Sequence, residues 1–302
     1  MLETAGAGLK PLNTTAIVDA AVEHVRAEPL LYYGITAPIA FPLGALALYY
    51  FDLVREYRGA PAGYAPRLIG ASASIAVLFH LRFLAHGAVA WAVERRLQGL
   101  EATAAGAWRA AMGRALPLGL AGVAFWSAVA VSAPFALLPV VVTFSLLILG
   151  PAVALHEGTG PVRTLRRTIS LGWLEIGRAL SMGAILLLGA AILVGSTGLA
   201  LQAALGLART AFAVDTTWLA SVVDWRHASF TLGVVVAAFA LLEPVKTVAF
   251  VLLYVDRRVR TEGFDLRRKV DLVIEHEARA RAVAGTSSDG ELEPVEAAEA
   301  AA

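Results

Sequence analysis

The chain has 302 residues, 58% of them hydrophobic and 16% charged, with a mean hydropathy of +0.68 and a formal net charge of +1. This balance is too apolar and too weakly charged for an ordinary soluble domain and marks an all-α integral membrane protein. The absence of cysteine excludes disulfides, thiol catalysis and cysteine-ligated metal. The arginines cluster beside apolar runs instead of forming one basic face, which argues against nucleic acid as a partner.

The N-terminal sequence MLETAGAGLK lacks the basic-then-apolar order of a signal peptide, so the first apolar run, from Leu30, is expected to stay as a signal anchor. A helix needs about 20 apolar residues to cross a bilayer core of about 30 Å. Six runs qualify as crossings: 30–51, 68–93, 116–131, 135–155, 180–205 and 230–254. The third and fourth come from one uncharged stretch, Leu116 to Leu155, which as a single helix would be about 60 Å long. It must fold back, and Val131-Ser132-Ala133-Pro134 is the expected hairpin because proline cannot continue the hydrogen-bond ladder.

Lys and Arg count sets the orientation. Segments 1–29, 94–115, 156–179 and everything after Tyr254 hold 18 of the 25 basic residues; the three intervening loops hold 5, and Arg82 and Lys246 lie inside crossings. Both termini are therefore expected in the cytoplasm. This divides the chain into a cytoplasmic amphipathic segment (1–29), a six-helix transmembrane domain (30–256), a basic amphipathic segment (257–282) and an acidic tail (283–302) whose composition predicts disorder.

Each cytoplasmic segment that feeds an outward crossing carries a pattern for a helix lying on the membrane. Over 161–180, Leu165, Ile169, Trp173 and Ile176 recur at helical spacing with Arg163, Arg166 and Arg167 opposite. Trp108, Arg109, Met112 and Arg114 form a shorter version, and residues 15–26 a weaker one. The tetrapeptide Gly-Arg-Ala-Leu occurs at 113–116 and 177–180, each where a surface helix would turn into a crossing. Three repeats of surface helix plus hairpin, or a chance match in an Ala-rich and Arg-rich chain, account for it equally. Small residues four apart, at Gly70 and Ser74, at Ala124, Ala128 and Ser132, and at Ala191 and Gly195, predict close helix packing. The loop 206–229, with Trp218 and Trp225, reads as an external segment anchored at the interface.

Ionisable residues inside spans are the first place to look for function. They are His80, Arg82 and His86 in the second crossing and Glu243 and Lys246 in the sixth. Both crossings run outside to inside, and Arg82 and Glu243 fall at matched depth, so each relieves the other's desolvation. Lys246, one turn on, shares the carboxylate. Either this set forms a polar pathway for an ion, a proton or a lipid head group, or it is a buried pair that pins two helices. His80 and His86, six apart, do not present two imidazoles on one helical face. His156 and Glu157, at the inner end of the fourth crossing, are expected to solvate that end. No nucleophile elbow, zinc-protease spacing or phosphate-binding loop exists, so neither an enzyme nor a cofactor or metal site is expected.

The last crossing ends in Tyr254, Asp256, Arg257, Arg258, Arg260, Glu262, Gly263 and Asp265. The arginines suit lipid head groups, and the motif serves either as a plain stop-transfer foot or as a docking point for a cytoplasmic partner. Together with Phe79-His80-Leu81-Arg82-Phe83-Leu84, and with residues 151–160 followed by Arg163 and Arg166, it resembles a family of bacterial multi-pass inner-membrane proteins of unknown function. Related sequences are often labelled as the membrane domain of glycerophosphoryl diester phosphodiesterase, or occur beside genes for MoxR-type ATPases and a transglutaminase-associated membrane protein. The resemblance covers most of residues 30–270. It implies no hydrolase, since the catalytic carboxylates and histidines of the soluble phosphodiesterase have no counterpart here, and this chain has Phe79-His80 where an aromatic pair is expected. If the family's second crossing ends at the basic residue, Arg82 would instead lie near the interface.

The expected protein is thus a non-enzymatic scaffold or assembly component in the bacterial inner membrane. Its partners would be the lipid bilayer and cytoplasmic or membrane proteins bound through an Arg-rich face. The alternative is a transporter or lipid permease using Arg82, Glu243 and Lys246. A water-accessible cavity at Glu243 would favour transport, and a dry, packed bundle a scaffold.

Overall fold

The computed structural model describes residues 12–57, 65–132, 142–143, 145–157, 160–212, 215–216, 223 and 227–262. Among them are nine helices and no strand: α1 (Thr14–Ala27), α2 (Pro29–Tyr57), α3 (Ala65–Leu97), α4 (Ala104–Met112), α5 (Ala115–Ser132), α6 (Gly150–Glu157), α7 (Pro161–Leu174), α8 (Ile176–Ala211) and α9 (Ala228–Glu262). Four of them, α2, α3, α8 and α9, are long and apolar enough to cross a membrane. Helices α4 and α5, bent by 79° at their junction, count as a fifth if taken as one span. The chain divides into two compact units: among the described residues, 12–255 belong to one and 256–262 to the other. The expected hairpin after Ser132, most of the first half of the fourth crossing, Trp218 and Trp225, the basic amphipathic segment beyond Glu262 and the acidic tail lie outside the described residues.

Helix ends follow from local chemistry. The Asn13 side chain accepts from the Ala16 N–H at 2.7 Å to start α1. Glu28, forced out of the helical region by Pro29, stops it. Pro29 then opens α2, where a missing N–H costs nothing. Gly99, at φ 71°, lets Leu100 N–H reach the Arg95 carbonyl at 2.9 Å and so closes α3. Thr103 Oγ1 caps α4 by accepting from Gly106 N–H at 3.1 Å, and Pro161 opens α7.

The core of the larger unit is built around the second half of α3, where every residue from Phe83 to Val93 except His86 and Trp91 is buried. A helix buried all round needs neighbours on every side. Here they are Ile17 and Ala21 of α1, Tyr32 and Ile35 of α2, Leu118 of α5, Val153 of α6 and Val248 to Tyr254 of α9. Burying that much apolar surface in water would be the main stabilising term. In lipid, close packing takes over that role. Helix α8 is the opposite case, exposing Leu187, Leu188, Ile192 and Leu199.

Two expectations are corrected. The single surface helix over 161–180 is two helices. The chain leaves helical geometry at Glu175, and Arg178 fastens the break by donating from Nη1 to the Glu175 carboxylate at 3.0 Å and from Nη2 to the Leu12 carbonyl at 2.7 Å. On α7 the side turned into the protein is Thr164, Thr168, Leu171 and Gly172, while Ile169 and Trp173 are exposed. Both copies of Gly-Arg-Ala-Leu do lie at helix junctions, α4 to α5 and the first turn of α8.

Secondly, the small-residue steps Gly70/Ser74 and Ala191/Gly195 are exposed, with no atom within 4 Å of where a Cβ on Gly70 or Gly195 would sit. The close approaches occur elsewhere. A Cβ on Gly87 would lie 2.8 Å from Leu118 Cδ1, one on Gly122 3.2 Å from the Phe83 ring, and one on Gly172 would run into the backbone carbonyl of Leu146. Four-residue spacing puts small residues on one face but does not say which face meets a neighbour.

Candidate functional site

Glu243 sits in the middle of α9, one residue before Pro244, and its side chain is 7% exposed. Three basic side chains converge on it. Arg82 of α3 grips it in fork geometry, with Nε donating to Oε1 at 2.6 Å and Nη2 to Oε2. His86 Nε2 donates to Oε1 at 2.8 Å. Lys246 Nζ donates to Oε2 at 2.6 Å. Both carboxylate oxygens are therefore engaged twice.

The backbone around this carboxylate is tied down as well. Thr247 Oγ1 donates to the Glu243 carbonyl at 2.8 Å, and the Tyr33 hydroxyl of α2 donates to the Leu241 carbonyl at 2.7 Å, in the turn that Pro244 disturbs.

Helical phase explains who joins. Arg82 and His86 are four apart on α3 and share a face, as Glu243 and Lys246 do at three apart on α9. His80, two residues before Arg82, points elsewhere, and its Nδ1 lies 2.6 Å from the Ala76 carbonyl of its own helix. Helix α3 continues to Leu97, so Arg82 lies mid-helix and not at a helix end.

The space around this cluster is small. A cavity of about 10 Å³ lies among His86, Ile148, Pro151 and Thr247, and one of about 30 Å³ among Arg82, His86, Phe125, Trp126 and Lys246. A water needs roughly 10–15 Å³ measured this way, so the two have room for a few waters at most and for no organic solute.

A second polar cluster was not foreseen. His156 at the end of α6 is 8% exposed and does not solvate the helix end as expected. Its Nδ1 lies 2.8 Å from Glu94 Oε2 of α3, and its ring stacks on Tyr254 of α9 at 5.6 Å and 10°. The Tyr254 hydroxyl donates to Glu157 Oε1 at 3.3 Å, and Arg167 Nε donates to both Glu157 oxygens at 3.2 Å. Aromatic stacking and the Glu94 contact make His156 a structural tie between α3, α6 and α9. The only signal in the sequence was a histidine and an acid at the end of an apolar run.

The C-terminal motif is only partly available to a partner. Tyr254 is 1% exposed, so it is a core residue and not a docking residue. In the smaller unit Asp256 is buried and accepts from Arg260 Nε at 2.8 Å, one helical turn on. Arg257 and Arg258 are half-buried and Arg260 is exposed. The Glu262 side chain, Gly263 and Asp265 lie outside the described residues. No group of three or more His, Asp or Glu among the described residues is placed to hold a metal ion. Against known proteins, no family model, curated protein or solved structure matches the chain.

Proposed function

We propose that this protein is a six-crossing component of the bacterial inner membrane with both termini in the cytoplasm, and that it acts as a non-enzymatic scaffold. Arg257, Arg258 and Arg260 would offer a basic foot to a protein partner, and the resemblance to the MoxR-associated family names an ATPase as the kind of partner to look for. The observation that carries the scaffold reading is the saturation of Glu243. A transport site must exchange ligands, whereas this carboxylate already accepts from Arg82, His86 and Lys246 in a space too small for a solute. Such a set holds α3 against α9.

The test replaces the charges together, as Arg82→Met, Glu243→Leu and Lys246→Met, since a buried ion group exchanged whole for apolar side chains is often close to neutral for stability. A scaffold so altered should insert, co-purify with the same proteins as the wild type and rescue a deletion strain. If it inserts and keeps its partners but fails to rescue, the charges are the working site and the transporter or permease reading replaces this one.

A further inference from the structure

Away from Glu243, a cavity of about 460 Å³ opens between α3, α6, α4 and the turn that follows α4, lined by Trp91, Glu94, Arg109, Arg114, Leu155 and His156. Its size is that of small-ligand sites in general. We propose that it binds a phosphate group, supplied by the head group of an anionic phospholipid or by free phosphate. The inference does not depend on the scaffold reading.

Two observations carry it. First, Arg109 and Arg114 line this cavity, and neither side chain makes an ion pair or hydrogen bond among the described residues. Other arginines, Arg163 and Arg166 among them, also lack a described side-chain bond, but only Arg109 and Arg114 come together in one cavity. Guanidinium groups match phosphate oxygens in fork geometry.

Second, the one acid in the lining is already engaged. A carboxylate only accepts, so His156 Nδ1 carries the hydrogen it shares with Glu94, and the two arginines leave the cavity with a net positive charge.

Beside the arginines, Met112 and Leu116 are exposed and apolar. They would give acyl chains a path out of a polar pocket, as a head group at the membrane interface requires.

The experiment uses the full chain in phosphatidylcholine nanodiscs, with phosphatidylglycerol added in one arm and inorganic phosphate in the other. Wild-type protein should bind one anion equivalent saturably, with a raised unfolding midpoint. Arg109→Gln combined with Arg114→Gln should weaken that binding at least tenfold while leaving the midpoint in pure phosphatidylcholine unchanged. Arg166→Gln, an exposed arginine on α7, controls for general surface charge and should bind as the wild type does. Should the double variant fold poorly, Arg109→Gln alone, at an exposed position, should still weaken binding severalfold.

Saturation in the phosphatidylglycerol arm alone makes the ligand a lipid, and saturation in the phosphate arm makes it the free anion. Binding that the arginine variants leave intact, binding that Arg166→Gln weakens equally, or no saturable binding in either arm overturns the proposal.

Discussion

Glu243 is one side chain with three cationic or hydrogen-bonding partners, and its removal has an asymmetric cost. Glu243→Gln keeps the shape but leaves Arg82 and Lys246 close together without an anion. Breaking a buried pair from one side costs about 3–5 kcal/mol, whereas exchanging the whole set for apolar groups is often near neutral. Glu243→Gln should therefore unfold earlier in a detergent melt than the triple apolar variant that removes Arg82, Glu243 and Lys246 together. A Gln variant as stable as the wild type would mean that the carboxylate is not what holds the two helices. The pairing of Arg82 with Glu243 was legible from charge and equal depth. The membership of His86 and the absence of His80 follow from helical phase, which the sequence also contains. His156 was not legible, because nothing in its neighbours along the chain announces Glu94 or Tyr254 across the bundle.

Among elements, the chemistry that starts a helix is local, whereas the face by which it meets a neighbour is not. Asn13, Pro29, Thr103 and Pro161 act on backbone groups within four residues, so the local sequence contains both partners of each interaction. A small-residue step needs a second helix, and that helix is not in the local sequence. The structure therefore separates glycines that look alike. Gly172→Ala on α7 would push a methyl into the backbone of Leu146, which can only be relieved by moving the segment, and should destabilise by about 1–3 kcal/mol. Gly195→Ala on α8 meets nothing and should stay within about 0.5 kcal/mol. Equal effects in parallel unfolding measurements would contradict this assignment of faces. The break at Glu175 belongs to the same class: the apolar stripe runs through it from Trp173 to Ile176, and only Arg178, bridging Glu175 and Leu12, reveals that the helix stops.

For the whole molecule, the number of crossings and their direction are the claims that matter most. Under the six-crossing reading, a reporter fused after Glu262 is active on the cytoplasmic side and one inserted between Tyr57 and Ala65 on the periplasmic side. The opposite pattern at either place would reverse the faces and move Arg257, Arg258 and Arg260 away from any cytoplasmic partner. The sequence alone determined that the chain is helical and carries several helices apolar enough for a membrane, because hydropathy is a property of short stretches. Only the tertiary structure decided that Tyr254 is core, that α8 leaves Gly189 and Gly195 exposed and that Arg109 and Arg114 share a cavity with His156. Those facts depend on which residues distant along the chain come within a few ångströms, and no local pattern encodes that distance.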